Sequence, residues 1–388
     1  MKKNCSVVNI AFVSTFYPLR GGIAHFNTLL YQKLTERGHR VTAITFSRQY
    51  PKLFFPGKTQ EEQGTEDDLY KTNAEVLLDS VNPLSWIQVG LRVYDLAPDV
   101  VLFKYWIPFF APAYFVISLI AKLRSKTKVI YILDNFKPHE TRVGDGILLW
   151  LATRLADGYV AMSDKVESDL KKEFPTARYE KSPHPIYNIF GGAISKTEAR
   201  QKLGLSESQK VILFFGYIRS YKGLDLLLDA MPELTKAFPD LTLIIAGEFY
   251  GDEQLYRDKI SSLGISNHLL LATDYIPNHD VSTYFCAADC AVLPYRSATQ
   301  SGIVQIAYHF DLPSVVTNVG GLSEVVRDGK TGFVVEPNNS DAIVDGVKMF
   351  YESRHDIDFT ANIRAEKKQY SWDAFAEAVE RLDSKLRS

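Results

Sequence analysis

Short apolar runs alternate with amphipathic stretches along the chain, which is the pattern of an α/β protein with parallel sheets. Buried parallel strands have sequences that are continuous apolar runs of about four to eight residues. In the first half, strands are predicted at residues 7–13, 41–46, 100–105, 128–133 and 158–162. Helices are predicted there at residues 23–37, 84–96, 109–123, 145–156 and 164–173. A second series of strands is predicted at residues 211–215, 241–246, 269–272, 289–293 and 314–317.

The two series of elements indicate two domains, which suits a length of 388 residues. Pro183 and Pro185 mark an extended linker between them. We predict a first domain over residues 1–185 and a second domain over residues 186–370. The last amphipathic segment, residues 371–388, is predicted to fold back onto the first domain.

The net charge of −2 conceals an uneven distribution between the two halves. Residues 1–185 contain 24 Lys and Arg against 19 Asp and Glu, whereas residues 186–388 contain 20 against 27. Chance variation of surface charge explains such a difference. So does a first domain that meets an anionic partner, such as a membrane surface or a lipid phosphate. Both interpretations stay open at this point.

Cysteine usage excludes a disulfide framework, because the chain has three cysteines, Cys5, Cys286 and Cys290. No Cys/His cluster has the spacing of a zinc site, and the composition is typical of a reducing, cytosolic setting. The apolar run at residues 7–13 is short, contains Asn9 and lacks a cleavage site, so we interpret it as a strand rather than a signal peptide. The expected location is cytoplasmic.

Two segments depart from the alternating pattern. Residues 50–74 form a long predicted loop, either a mobile loop on the acceptor side or a disordered segment. Residues 105–121 form an apolar run with two prolines, at the short end of what a membrane-spanning helix needs. This run is either a buried crossover helix or a helix that dips into a membrane interface. A basic cluster follows it and favours an anionic membrane surface bound through residues 105–128. The cations of that cluster are Lys122, Arg124, Lys126 and Lys128.

The strongest chemical signal follows the predicted strand at residues 211–215, where Gly216 ends the strand and Arg219 and Lys222 come directly after it. Open α/β sheets bind their ligands at the carboxyl ends of parallel strands. Two cations at that edge suit a diphosphate, which needs charge neutralisation as well as hydrogen bonds. The alternative is a pair of solvated surface cations.

Two further segments place backbone N–H groups at predicted helix starts. Gly21 and Gly22 follow the first strand and open the first helix, without the Gly-x-Gly-x-x-Gly spacing of a dinucleotide site. In the second half, residues 294–302 follow a strand and lead into a helix. The first N–H groups of that helix, around Gly302, are predicted to face the same ligand as Arg219 and Lys222.

The order of these motifs resembles that of the family 4 retaining glycosyltransferases, and the resemblance extends over nearly the whole chain. It rests on six short motifs: Gly21-Gly22, residues 216–223, Ala246-Gly-Glu248, Tyr275-Ile-Pro277, Leu312-Pro313 and residues 320–332. The resemblance implies the GT-B architecture of two facing Rossmann-like domains with parallel sheets and a C-terminal helix crossing back to the first domain. It also implies that the first domain serves the acceptor and the second binds the nucleotide-sugar donor.

Site residues follow from the resemblance position by position. Arg219 and Lys222 match the pair that holds the donor's diphosphate, and the segment at Tyr275 and Ile276 matches the one against which the nucleotide base packs. The start of the helix at Gly302 matches the helix end that meets the distal phosphate. The implied donor-binding residues are Gly21, Gly22, Gly216, Arg219, Lys222, Tyr275, Ile276, Gln300, Ser301, Gly302, Ile303 and Glu324.

The chain departs from the family pattern at two columns that usually hold glutamates for the sugar hydroxyls and the ribose. These columns fall at Ala298 and Ile306, and neither residue is acidic. Gln300, Ser301 and Gln305 lie nearby and offer weaker, neutral hydrogen bonds. The departure leaves open the identity of the donor and whether the chain is active.

A third candidate cluster follows the strand that ends at residue 133. The family often has a histidine at the position of Asp134, close to the reacting sugar, whereas this chain has its histidine five residues later. Asp134, His139 and Glu140 are the candidate catalytic residues that orient the acceptor or the sugar. A lone loop histidine with no role is the alternative for His139.

These observations predict a retaining, metal-independent glycosyltransferase that moves a sugar from a nucleoside-diphosphate donor to an acceptor hydroxyl. We expect no cofactor and no nucleic-acid partner. The predicted acceptor is a glycan or a lipid-linked glycan of surface polysaccharide assembly, reached at the inner membrane face. The alternative is a GT-B domain pair that binds a nucleotide or glycan without transfer. A sugar-nucleotide epimerase is a third interpretation, for which the sequence offers no acid/base set.

Overall fold

Two compact units make up the chain, and each is built on a parallel sheet. The computed structural model describes residues 7–19, 21–51, 60, 72–124, 126–136, 144–186, 190–298 and 301–388. The first unit is Met1–His184 with Ser371–Ser388, and the second is Pro185–Tyr370. The boundaries predicted from the sequence lie after residues 185 and 370.

The first sheet has seven parallel strands in the order β3-β2-β1-β4-β5-β6-β7. Its strands are β1 (Asn9–Val13), β2 (Arg40–Arg48), β3 (Glu75–Asp79), β4 (Val100–Tyr105), β5 (Lys128–Leu133), β6 (Gly158–Ala161) and β7 (Tyr179–Lys181). The helices of this unit are α1 (Gly22–Glu36), α2 (Pro83–Leu96), α3 (Ala111–Ala121), α4 (Asp145–Thr153), α5 (Asp164–Glu173) and α14 (Trp372–Arg387). The strand order reverses between β1 and β4, which makes their carboxyl ends the switch point of this sheet.

The second sheet has six parallel strands in the order β10-β9-β8-β11-β12-β13. Its strands are β8 (Lys210–Phe215), β9 (Leu241–Ala246), β10 (Leu269–Ala272), β11 (Cys290–Leu293), β12 (Ser314–Thr317) and β13 (Gly332–Val335). The helices are α6 (Lys196–Lys202), α7 (Leu224–Ala237), α8 (Glu253–Leu263), α9 (Asn278–Ala287), α10 (Gly302–His309), α11 (Gly321–Val325), α12 (Ser340–Ser353) and α13 (Phe359–Glu366). Here the switch point lies between β8 and β11.

The C-terminal helix α14 packs on the first unit, as predicted. Its Phe375 meets Phe26 of α1 edge-on, with ring centroids 5.2 Å apart. Glu380 of α14 accepts hydrogen bonds from the Arg37 guanidinium at 2.7 and 2.9 Å. Gly158 lets α14 approach β6, because a Cβ there would lie 3.0 Å from a methyl group of Leu386. An apolar contact and an ion pair therefore both hold this helix to α1.

The apolar stretch at residues 105–121 forms a short 3₁₀ turn and the crossover helix α3. Tyr114, Ile117 and Ala121 are buried against the sheet, whereas Leu119 is half exposed. The structure therefore agrees with the interpretation of this stretch as a buried crossover helix, and it leaves Leu119 on the outer face. Within the part of the chain that the structure describes, no helix has both the length and the apolar character to cross a bilayer.

Candidate active site

The first turn after β8 carries the two predicted phosphate-binding cations. Gly216 donates its backbone N–H to Ala246 O at 2.8 Å, and Ile218 donates to Glu248 O at 2.8 Å, so this segment runs beside the one that follows β9. A 3₁₀ turn then covers Ser220–Lys222. Gly223 closes the turn with φ +68°, and a Cβ at this position would overlap the carbonyl oxygen of Pro294. The turn therefore lies directly against the segment that follows β11.

Lys222 is a buried ammonium group held beside the switch point. Burial, together with the positive charge of Arg219, lowers its pKa to about 7. Its Nζ lies 5.7 Å from the ring centroid of Tyr295 and would be 3.2 Å from a Cβ at Gly216. Because this buried amine has no full positive charge at neutral pH, an anionic ligand next to it stabilises the charged form strongly.

Arg219 is exposed, and its guanidinium carbon lies 4.7 Å from the ring centroid of Tyr250. Tyr250 also packs against Tyr217, with ring centroids 4.5 Å apart. The stacked ring restricts the guanidinium and so pre-organises it for an anion. The sequence analysis did not identify this aromatic support, because the two tyrosines lie in loops with no periodic pattern.

Arg296 holds the turn that presents Arg219 and Lys222. Its backbone N–H donates to Tyr221 O at 2.7 Å, and its guanidinium donates to Ser220 O at 2.8 Å. The same guanidinium forms a two-pronged ion pair with Asp225 at 2.8 and 2.6 Å. The sequence analysis missed this clamp, since nothing in the run Leu-Pro-Tyr-Arg distinguishes a structural arginine from a solvated one.

The start of α10 lies next to Gly216. Ser301 caps the helix by accepting a hydrogen bond from the Ile303 N–H at 3.2 Å, and the Ile303 side chain would be 3.0 Å from a Cβ at Gly216. The structure therefore brings Gly216, Lys222 and the first residues of α10 together at one switch point. Gln300 lies outside the described residues.

The other donor-site candidates lie farther along the same sheet. Tyr275 and Ile276 follow the edge strand β10, and Glu324 lies on α11, which follows β12. Ala298 and Ile306, at the two columns where the resemblance expects glutamates, are buried apolar side chains. Gln305 is also buried, and its Oε1 has no hydrogen-bond partner in the structure.

In the first unit, the candidate residues follow β1 and β5. Gly21 adopts φ +106° immediately before α1, and Gly22 is the first residue of that helix. Asn27 of α1 donates hydrogen bonds to Ser14 Oγ at 2.9 Å and Thr15 O at 2.8 Å, which ties the helix start to the loop after β1. Arg20, His139 and Glu140 lie outside the described residues.

Asp134 follows β5 and forms an ion pair with Lys104 of β4, with Nζ 2.7 Å from Oδ1. Lys104 is fully buried, and burial lowers its pKa to about 8 against the opposing effect of Asp134. The sequence analysis missed Lys104. A lysine inside the apolar run Val-Val-Leu-Phe-Lys-Tyr was the available signal, since a buried charge requires a partner.

The described residues contain no candidate cluster of metal ligands. Among the described residues, no group of three or more His, Cys, Asp and Glu side chains is placed to hold a metal ion. Metal independence stays a prediction.

Comparison with known proteins shows which family the second unit resembles. Residues 195–370 match the family model described as "Glycosyl transferases group 1". This part of the chain is therefore similar to the group 1 glycosyl transferases, and the predicted resemblance is confirmed.

Curated relatives agree with this assignment. The chain is 29% identical over 171 residues to the lipopolysaccharide core biosynthesis mannosyltransferase LpsB of Rhizobium meliloti, covering 42% of this chain and 48% of LpsB. It is 32% identical over 160 residues to a GDP-mannose-dependent phosphatidylinositol monomannoside mannosyltransferase of Mycolicibacterium smegmatis, covering 39% and 41% of the two chains. The chain thus matches about half the length, or less, of these relatives.

Solved structures with the same fold cover nearly the whole chain. Sucrose-phosphate synthase from Thermosynechococcus elongatus superposes with a TM-score of 0.74 at 15% identity, over 98% of this chain and 99% of that protein. Alr3699/HepE from Anabaena, solved in complex with UDP, gives a TM-score of 0.67 at 17% identity over 98% of each chain. The predicted GT-B fold, with two Rossmann-like parallel sheets and a C-terminal helix on the first unit, is confirmed.

Proposed function

We propose that this protein is a glycosyltransferase that moves a sugar from a nucleoside-diphosphate donor to an acceptor hydroxyl. The observation that carries the proposal is the cationic turn at the switch point of the second sheet, where Arg219 and Lys222 lie in one turn and Lys222 lies next to Gly216, as does the start of α10. The match of residues 195–370 to the group 1 glycosyl transferases supports the same chemistry. We assign donor binding to the second unit and acceptor binding to the first.

The proposed reaction breaks the bond between the anomeric carbon and the diphosphate oxygen, and forms a bond from that carbon to the acceptor oxygen. The acceptor proton leaves with the diphosphate. Negative charge develops on the leaving diphosphate, and the fixed cations stabilise it without rearranging as the reaction proceeds. We propose that these cations take the part of a metal ion, and that the configuration at the anomeric carbon is retained.

The proposed donor is a nucleotide sugar, which a panel of UDP-, GDP- and ADP-sugars can identify. A ligand at 100 times its Kd raises the apparent unfolding free energy by about 2.7 kcal/mol, so the correct donor is expected to raise the melting temperature by several degrees. Donor hydrolysis, measured as released nucleoside diphosphate, then establishes turnover, and proton NMR of a transfer product reads its anomeric configuration. Stabilisation without turnover would favour the binding-module alternative, and the absence of both would contradict the proposal.

For the acceptor, we propose a lipid-linked glycan at the cytoplasmic face of a membrane. Two of the relatives described above, a lipopolysaccharide core biosynthesis mannosyltransferase and a phosphatidylinositol monomannoside mannosyltransferase, support this class of acceptor. The run from residue 105 to residue 133 contains four Lys and Arg and no Asp or Glu, which supports an anionic surface as partner.

We assign the membrane-facing surface to the outer layer formed by α2, α3 and α4, here called the helical outer face. α2 packs closely on α3, because a Cβ at Gly90 would lie 2.6 Å from Ile120 Cδ1. Large apolar side chains remain exposed on this layer, with Leu84 74%, Leu123 73% and Ile147 73% accessible. The apolar stretch at residues 105–121 contributes little to it, since most of its side chains are turned into the core. The other exposed apolar residues of the helical outer face are Ile87, Leu91, Leu119 and Trp150.

A further inference from the structure

Lys104 is a charged side chain in the middle of a buried strand of the first sheet. All six residues of β4 are buried, and Lys104 itself has 0% exposure. Side chains alternate along a strand, so Lys104 points to the face opposite Phe103 and Tyr105. That face is covered by α1, because the Lys104 ammonium lies 3.3 Å from the ring centroid of Phe26.

The surroundings of the Lys104 ammonium contain one described carboxylate. Its Nζ lies 2.7 Å from Asp134 Oδ1 and 3.1 Å from Met162 Sδ. Phe26, which covers the ammonium, is itself packed against Trp372 and Phe375 of α14 and against His184. The buried ammonium therefore contacts the ring of Phe26, the sulfur of Met162 and the carboxylate of Asp134.

Stability does not explain this arrangement. Replacing a buried ion pair by apolar residues of similar volume is often neutral or stabilising, whereas removing one partner is strongly destabilising. A Leu or Met at this strand position would therefore give a fold that is at least as stable as the one with a buried lysine. Buried charge pairs of this kind concentrate at functional sites, where a group must be held charged and fixed.

Asp134 lies where such a function would be expected. Its backbone N–H donates to Tyr105 O at 3.0 Å, which continues the ladder between β5 and β4 one residue past the end of β5. Its side chain is 12% exposed, in contrast to the fully enclosed ammonium behind it. The carboxylate therefore lies at the carboxyl edge of the first sheet, one strand from the switch point, where ligands of such sheets bind.

We propose that Lys104 is a positioning residue that fixes the Asp134 carboxylate at this edge, so that Asp134 accepts a hydrogen bond from a hydroxyl group of the transferred sugar or of the acceptor. The inference rests on the proposed function and adds a recognition element to it. The ammonium holds Oδ1 from behind, and the carboxylate is oriented toward the edge of the sheet. Loss of a hydrogen bond from a hydroxyl to a fixed carboxylate is expected to lower kcat roughly 10- to 100-fold.

A double-mutant cycle tests this role in the full chain, with Lys104→Met, Asp134→Asn and the two combined. UDP-glucose and GDP-mannose serve as donors, with released nucleoside diphosphate as the readout. Each single variant is expected to melt roughly 5 °C or more below the wild type, and the combined variant to recover most of that loss. The kcat of the combined variant is expected to stay roughly 10- to 100-fold below wild type, with the KM for the donor changed less than about threefold.

The matched control is the exposed ion pair between Arg92 of α2 and Glu75 of β3, 2.6 Å apart in the same unit. Arg92→Met and Glu75→Gln are expected to leave kcat unchanged. A combined Lys104→Met/Asp134→Asn variant that is stable and as active as the wild type would overturn the role of the pair. If the two single substitutions lower the melting temperature additively in the combined variant, the pairing of Lys104 with Asp134 would be overturned. A wild-type chain that hydrolyses no donor of the UDP-, GDP- and ADP-sugar panel, with coupled melting effects, would contradict the proposed function and remove the hydroxyl-binding role while leaving the pair intact.

Discussion

At the residue scale, the protonation of the Lys222 side chain is expected to depend on whether an anionic ligand is bound. In the absence of a ligand, burial and the neighbouring Arg219 hold its pKa at about 7, so the amine is partly neutral near physiological pH. An anionic diphosphate next to it favours the charged form and raises the pKa. Nucleotide binding is therefore expected to take up a proton at Lys222.

This uptake predicts how the affinity for UDP or GDP depends on pH. Between pH 7.5 and 9 the free protein carries neutral Lys222, which must be protonated on binding, so affinity is expected to fall by up to about tenfold per pH unit. Below about pH 7 the amine is already charged and this contribution to the slope disappears. Calorimetric titration across this range measures the effect, with Lys222→Met as the comparison. An equal slope in the variant would assign the pH dependence to another group.

Residues of the candidate site differed in how far the sequence could identify them. Arg219 and Lys222 were identified because they follow an apolar strand directly, and strand ends are visible in a sequence. Arg296 contacts a turn that lies 71 or more residues earlier in the chain, and Tyr250 contacts Arg219, which lies about 30 residues earlier. No local sequence pattern encodes contacts between such distant segments. The role of Lys104 depends on Asp134, which comes 30 residues later on the neighbouring strand.

At the element scale, α2, α3 and α4 share one unusual property, which is a row of exposed apolar side chains on the helical outer face. On α2 the exposed residues Leu84, Ile87 and Leu91 recur at three- and four-residue spacing and so form one stripe. The turn after α3 adds Leu123 and Arg124, whose guanidinium lies 4.3 Å from the ring centroid of Tyr94 on α2. Apolar area next to cations is the combination with which peripheral proteins bind anionic bilayers.

Vesicle flotation tests this surface. The wild-type chain is expected to float with vesicles of phosphatidylcholine and phosphatidylglycerol and much less with phosphatidylcholine alone, since the cations contribute roughly 1 kcal/mol each near an anionic surface. Leu91→Glu combined with Leu123→Glu is expected to abolish flotation. Leu255→Glu, which changes an equally exposed leucine of α8 in the second unit, is the matched control. Equal flotation of the two variants, or none of the wild type, would rule out the helical outer face as the lipid contact.

The sequence predicted every central strand and one of the four edge strands, β10. β3, β7 and β13 were not predicted, and all three are edge strands. The short β7, Tyr179–Lys181, contains a glutamate and a lysine and has no fully buried position, so it lacks the apolar run that identifies a central strand. The central strands β1, β4, β5, β8 and β11 have such runs because both of their faces are covered.

At the scale of the whole molecule, the order of motifs carried more information than any single motif. It predicted two Rossmann-like units and the return of α14 to the first unit, and the fold comparisons confirm both. The identity of the donor did not follow, because Ala298 and Ile306 replace the acidic columns with buried apolar side chains. We therefore expect the contacts that select the sugar to come from residues that the family pattern does not specify.

The central claim is that the cationic turn of the second unit binds the diphosphate of a nucleotide-sugar donor. Calorimetric titration of UDP and GDP into the wild type and into Arg219→Ala/Lys222→Ala tests it most directly. Arg257→Ala/Lys259→Ala, which removes an arginine and a lysine from the surface of α8 in the same unit, is the matched control. We expect the first double variant to lose roughly 100-fold or more in affinity, from about 3 kcal/mol of lost stabilisation, and the control to stay within about twofold. An Arg219→Ala/Lys222→Ala variant that binds the nucleotide as tightly as the wild type would contradict the account.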